Sequence, residues 1–205
     1  MKVNANQFEK ISIRGCVAYG ICCFENALEH YNAKGEGWNY LLKKLWWYTE
    51  LSAACDPRIN NSLPLERWAG LIGEISPDRI KKYPTYAEFS APKRWWFEDN
   101  IPSEQEYNML NEAYGHTNSV IDDIYTFLLQ VGITDLWCGI GKISLDTLIS
   151  LQNIIDIMYQ NEIPLPSIEP FKQYVFHKEG WDYDLHAYGE TFDGTQYSKF
   201  VNGTK

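Results

Sequence analysis

Few residues in this chain are spaced for chemistry. The four histidines, His30, His116, His177 and His186, make no HExxH or HxH pair. The densest grouping of ligand-type residues is His177, Asp182, Asp184 and His186. Mixed imidazole and carboxylate ligands suit a transition metal, but this spacing fits no recognised metal motif, and we read the segment as a solvated acidic tail. Asp122-Asp123 offers two carboxylates. Neighbouring helix positions point roughly a hundred degrees apart, so the pair is poorly placed for one ion. Asp122 also follows Ser119 by three residues, where a carboxylate satisfies helix-start N–H groups.

Other short motifs also resolve into structure. Gly139-Ile140-Gly141 lacks the third glycine and the preceding strand of a dinucleotide fingerprint and reads as a turn. Cys22-Cys23 lies in an apolar stretch with no histidine beside it, where a thiolate is disfavoured. No GxSxG or P-loop pattern occurs. Arg14 and Glu25 flank the most apolar segment, eleven residues or about three helical turns apart, on nearly the same face. A charge at the edge of a buried helix needs a partner, so both are read as structural ion-pair candidates that orient this helix. No catalytic residue, metal or cofactor is assigned.

The elements that would position these residues are helical. A helix is expected from about Gln7 to Tyr31, apolar on every side from Cys16 to Phe24 and therefore surrounded by others. A second, from about Glu36 to Ala53, carries a stripe of Trp38, Leu41, Leu42, Leu45, Trp46 and Thr49; the short link between the two favours an antiparallel hairpin. Shorter helices are expected over Leu65–Gly73 and from Ser76-Pro77-Asp78, whereas Tyr83 to Asp99 reads as loop. Ser103 and Glu106 form a capping box before a helix to about Tyr114. Asn118 or Ser119 caps the next helix, with Val120, Ile124, Phe127, Leu128 and Val131 facing inward. Ser144 opens the last, with Leu145, Leu148, Leu151, Ile154, Ile155 and Met158 as its stripe. After Phe176 helical period is lost, leaving a hairpin, an ordered tail or disorder. The expected fold is all-α: an irregular helical bundle, residues 1–205 as one domain, with a central apolar N-terminal helix and an acidic, aromatic tail over about 177–205.

Composition agrees with this class. A chain of 205 residues with 45% hydrophobic and 22% charged residues can bury a core without staples. Eight Trp and fourteen Tyr suit either a core or an interface. Five cysteines, odd in number and without a CxxC pair, read as reduced, buried thiols. With no secretory pattern at the N-terminus, the expected compartment is the cytoplasm. Net charge is −9 and uneven: residues 1–102 hold thirteen bases and twelve acids, residues 103–205 five and fifteen. An acidic half of this kind repels nucleic acid and anionic membrane and steers a basic partner toward itself; the alternative reading is solubility alone.

Several blocks resemble a helical immunity-protein family of bacterial polymorphic and contact-dependent toxin systems. They are Arg14 with Tyr19-Gly20-Ile21-Cys22-Cys23-Phe24-Glu25-Asn26-Ala27-Leu28, then Trp38 and Leu45-Trp46-Trp47-Tyr48-Thr49. Asn118 to Asp123, and Ile163-Pro164-Leu165-Pro166 leading to Phe171, are similar to later blocks, so the likeness spans roughly residues 8–181. Arg58 to Asp99 has no counterpart in it. The resemblance implies a small antidote that binds and neutralises a cognate toxin by occluding its active surface. The acidic half suits a basic toxin such as a nuclease. Trp95, Trp96, Trp181 and Tyr183, with Asp182 and Asp184, are the expected partner-binding residues, with packing of a long loop onto the helices as the alternative for Trp95-Trp96. The competing expectations are a helical enzyme with a carboxylate or histidine metal site, and a helical regulatory scaffold.

Overall fold

A computed structural model of the chain describes residues 2–51, 64–91, 101–115, 117–134, 145–175 and 188–201. Among them are eight α-helices and no strand. The all-α expectation holds.

The central helix, α1, spans Ile13–His30, and every residue from Ile13 to Leu28 is buried. It begins later than its apolar pattern suggests. Ser12 takes extended backbone angles and its hydroxyl accepts from the N–H of Gly15, which starts a helix afresh at this point. The preceding residues make a separate 3₁₀ turn, Ala5–Phe8, with its own capping box of Asn4 and Gln7. Between the two, Ile11 forms an isolated antiparallel bridge with Val175.

Helix α2 (Glu36–Trp46) tightens into a 3₁₀ turn, Trp47–Glu50, instead of continuing to Ala53. The Thr49 hydroxyl donates back to the Trp46 carbonyl at 2.9 Å, a bond that competes with α-helical continuation. Trp38 packs on Phe24, while the Trp46 indole N–H reaches Glu25. From Trp38 at Phe24 the chain returns to Leu51, whose carbonyl meets Arg14 at the start of α1, so α2, with the 3₁₀ turn after it, runs back along α1. Its chief neighbour is α6 (Glu104–Tyr114). A Cβ on Gly37 would come within 2.2 Å of the Met109 carbonyl oxygen, so this close approach of α2 to α6 requires glycine.

Helices α3 (Pro64–Glu74) and α4 (Pro77–Lys82) form where expected, and a further short helix, α5 (Tyr86–Ser90), lies inside the stretch read as loop. Thr85 caps α5, and Phe89 packs on Tyr107 of α6. Helices α7 (Ser119–Ile133) and α8 (Leu145–Gln160) run antiparallel. Thr147 lies against Val131 and Ser150 against Gln130, and the pair packs together onto α1. At their meeting with α1, a Cβ on Gly20 would be 2.8 Å from Leu128.

The described aromatic residues mostly serve this core. Trp38, Trp46, Trp68, Tyr19, Tyr48, Tyr107, Tyr114 and Tyr125 are among its largest fully buried side chains. Several use a polar tip to satisfy a carbonyl where a neighbouring helix ends: Tyr114 to Ile75, Tyr125 to Ile72, Tyr48 to Gly132, and the Trp68 indole to Lys44. The C-terminal segment, residues 188–201, is an ordered tail with a 3₁₀ turn at Gly194–Tyr197.

Candidate functional site

Three places were built by the fold from groups with chemical capacity: the charged ends of α1, a cavity beside the α1–α2 turn, and the outer side of α7 and α8.

Arg14 and Glu25 are both buried, at 0% and 1% exposure, and both hold the C-terminal segment. Arg14 donates through Nη1 to the Gly189 carbonyl and through Nη2 to the Leu51 carbonyl, 2.6 Å away, and its guanidinium lies 5.7 Å from the centre of the Tyr188 ring. Glu25 Oε1 accepts from the Trp46 indole at 2.9 Å and from the Ser198 hydroxyl; Oε2 accepts from the Lys199 backbone N–H at 2.8 Å. Burial pushes the Glu25 pKa up, opposed by hydrogen bonds from Ser198, Lys199 and Trp46. These residues therefore fasten the two ends of the tail to opposite ends of the central helix. Thr49 assists between them, its carbonyl accepting from Phe192 and its hydroxyl from Gly194. No sequence pattern joins residues so far apart, and only the cost of burying a charge hinted that Arg14 and Glu25 had work to do.

The thiols of Cys16, Cys22 and Cys23 are free and buried, and burial pushes all three pKa values far up. They remain protonated and act as small apolar core groups. Asp122 does not turn to its own helix start. It pairs with Lys81 of α4 at 2.7 Å, while the Asn118 side chain caps α7 by accepting from Val120. Asp123 is exposed. Among the described residues, no group of three or more His, Cys, Asp or Glu side chains converges as a metal site. Trp95, Trp96, Trp181, Asp182, Tyr183 and Asp184 lie outside the described residues, as do His177, His186, Gly139-Ile140-Gly141 and Ser144.

A cavity of about 730 Å³ opens between the α1–α2 turn, α6 and the start of α7. Trp38, Met109 and Ile121 line it together with Lys34, Glu36 and Glu112. Gly35, at φ 136°, precedes α2 without offering a side-chain cap. The lining carries both signs of charge.

The third place is defined by what its helices carry. α1 to α5 hold seven acids (Glu25, Glu29, Glu36, Glu66, Glu74, Asp78, Glu88) and seven bases (Arg14, Lys43, Lys44, Arg67, Arg79, Lys81, Lys82). α6 to α8 hold seven acids and no lysine or arginine: Glu104, Glu106 and Glu112 on α6, Asp122 and Asp123 on α7, Asp146 and Asp156 on α8. The outer side of α8 is also where apolar side chains meet solvent. Leu145, expected to face inward, is 75% exposed, and Ile149 is 56% exposed. Measured from the buried stripe of Leu151, Ile154, Ile155 and Met158, a rotation of about 100° per residue puts Leu145 and Ile149 on the far side of the helix. That rotation was the available signal, and an apolar count along the helix obscures it. In α7 the buried face likewise includes Ile121 and Tyr125, whereas Val120 and Phe127 are only partly covered.

Among the described residues, no helix is long and apolar enough to cross a membrane. Comparison of the chain with protein-family models, with curated proteins and with solved structures found no match.

Proposed function

We propose that this chain is an antidote of the bacterial cytoplasm that binds a basic toxin domain and neutralises it by covering its active surface. The observation that carries this reading is the separation of charge by helix: α1 to α5 balance seven acids with seven bases, and α6 to α8 set seven acids against none. Net negative charge serves solubility wherever it lies on the chain, so solubility alone does not require its concentration in three helices. A field of one sign instead raises the encounter rate with a partner of the other sign and disfavours like-charged competitors such as nucleic acid. The rest of the fold suits a rigid binder, since the buried side chains of Arg14, Glu25 and Thr49 hold separate segments together.

The proposal expects a neighbouring gene to encode the toxin domain, and the test is reconstitution with that gene's product. A one-to-one complex, with loss of toxicity when both proteins are co-expressed, supports the proposal. Absence of binding, or binding without protection, refutes it.

A further inference from the structure

The two most exposed large apolar side chains among the described residues, Leu145 and Ile149, are one turn apart on the same side of α8. Single exposed apolar residues are ordinary, but an adjacent pair at the end of a helix makes a continuous apolar surface. Helical rotation continues this side through Asn153 to Asp156. Asp146 and Asp156 are exposed, and Gln152 donates to Asp156 at 2.8 Å, which fixes that carboxylate near the face. Gln130 of α7 is exposed beside Ser150. The arrangement is an apolar centre with an acidic and amide border, the anatomy of a protein-binding patch.

We infer that this face of α8 is the docking surface for a basic protein domain whose own apolar side chain sits against Leu145 and Ile149; the inference rests on the proposed toxin-binding function. Charge selects the occupant. Neither α7 nor α8 contains a lysine or arginine, and Lys2, the N-terminal cation seated on α8, lies over the Tyr159 ring toward the far end of the helix from Leu145 and Ile149. A second copy of this chain would bring net charge −9 against −9 and set Asp146 and Asp156 near their own counterparts. An anionic membrane is repelled for the same reason.

The test compares the full-length protein with Leu145→Ala/Ile149→Ala and with Asp146→Asn/Asp156→Asn, using the toxin domain of the adjacent gene as ligand. All four side chains are exposed, so near-native thermal unfolding of both variants is expected and is checked first. The apolar double variant should bind at least about tenfold more weakly through faster dissociation. The charge variant should associate more slowly and with a shallower salt dependence. If the wild type binds and the apolar variant binds equally well, the docking surface is elsewhere and the toxin-binding proposal survives. If the wild type binds no toxin, both fail. If sedimentation shows that the wild type self-associates and the apolar variant does not, the occupant is a second copy and the inference is overturned.

Discussion

Ser198, in the C-terminal segment, donates its hydroxyl proton to Glu25 of the central helix across 173 residues of chain. The same Ser198 oxygen accepts from the backbone N–H groups of Phe200 and Val201 at 3.2 and 2.9 Å. One hydroxyl thus turns the end of the tail and fastens it to the core. Ser198→Ala removes all three bonds, leaves Glu25 Oε1 with Trp46 alone, and should cost about 1–3 kcal/mol. Urea unfolding measures the loss, and amide exchange should show faster opening of residues 188–201 than of α1.

Glu25 also gives stability a pH dependence of known sign. Burial raises its folded pKa above the unfolded value, so the folded state holds this proton more tightly. Its contribution is fully present below the unfolded carboxylate pKa and is lost as pH rises through the raised folded pKa. Glu25→Gln has no such titration and presents an N–H₂ group to the Lys199 N–H that Oε2 accepts. The penalty for Glu25→Gln should be largest in acid and shrink as pH rises, measured by denaturant unfolding at several pH values. A penalty that grows with pH means that the three donors outweigh burial.

Arg14 reaches two carbonyls that belong to separate segments, Gly189 and Leu51. A forked guanidinium spans them and a lysine ammonium, with one nitrogen, does not. Arg14→Lys should therefore destabilise by about 3 kcal/mol, within the range for breaking a buried charged contact. Loss of protection at the Phe192 amide, which donates to the Thr49 carbonyl, with α7 and α8 unchanged would localise the effect.

Two glycines in helices should respond oppositely to the same substitution. Gly37→Ala drives a methyl group toward the Met109 carbonyl oxygen, 2.2 Å from the position its Cβ would take, and should cost at least about 2 kcal/mol by separating α2 from α6. Gly73, in α3, has nothing within 4 Å of that position. Gly73→Ala should stabilise by about 0.5–1 kcal/mol through helix propensity. Thermal unfolding of the two variants side by side checks both signs.

Local features of this fold were legible in the sequence where one physical cause dominates. α1 was visible because nothing but an interior accommodates a helix apolar on every side. The Ser103–Glu106 capping box formed as its spacing implies, with Glu106 Oε2 accepting from the Ser103 N–H at 2.7 Å. Asn118 likewise caps α7. The departures come from competition between local and distant groups. Ser12 interrupts an otherwise helical pattern because its hydroxyl captures Gly15 while its N–H goes to Tyr174. α5 is a single capped turn, too short for periodicity to reveal. α2 gives way to a 3₁₀ turn because the Thr49 hydroxyl bonds back to the Trp46 carbonyl.

The candidate surface was less legible than the fold. The acidic second half was plain from residue counts, but which helices carry it without compensation depended on where each helix begins and ends. Leu145 was assigned to the core because apolar residues in a helix are read as inward, and only its rotation relative to Leu151 and Met158 places it outside. Gly189, Ser198 and Lys199, which bind Arg14 and Glu25, lie in a tail with no periodic signal at all.

The most direct measurement is the association rate of the purified protein with the toxin domain of the adjacent gene as a function of ionic strength. A toxin-binding protein steered by the acids of α6 to α8 should form a one-to-one complex whose association slows by at least about tenfold between low and physiological salt, with a much smaller change in dissociation. The absence of a complex, or an association rate indifferent to salt, would contradict the account.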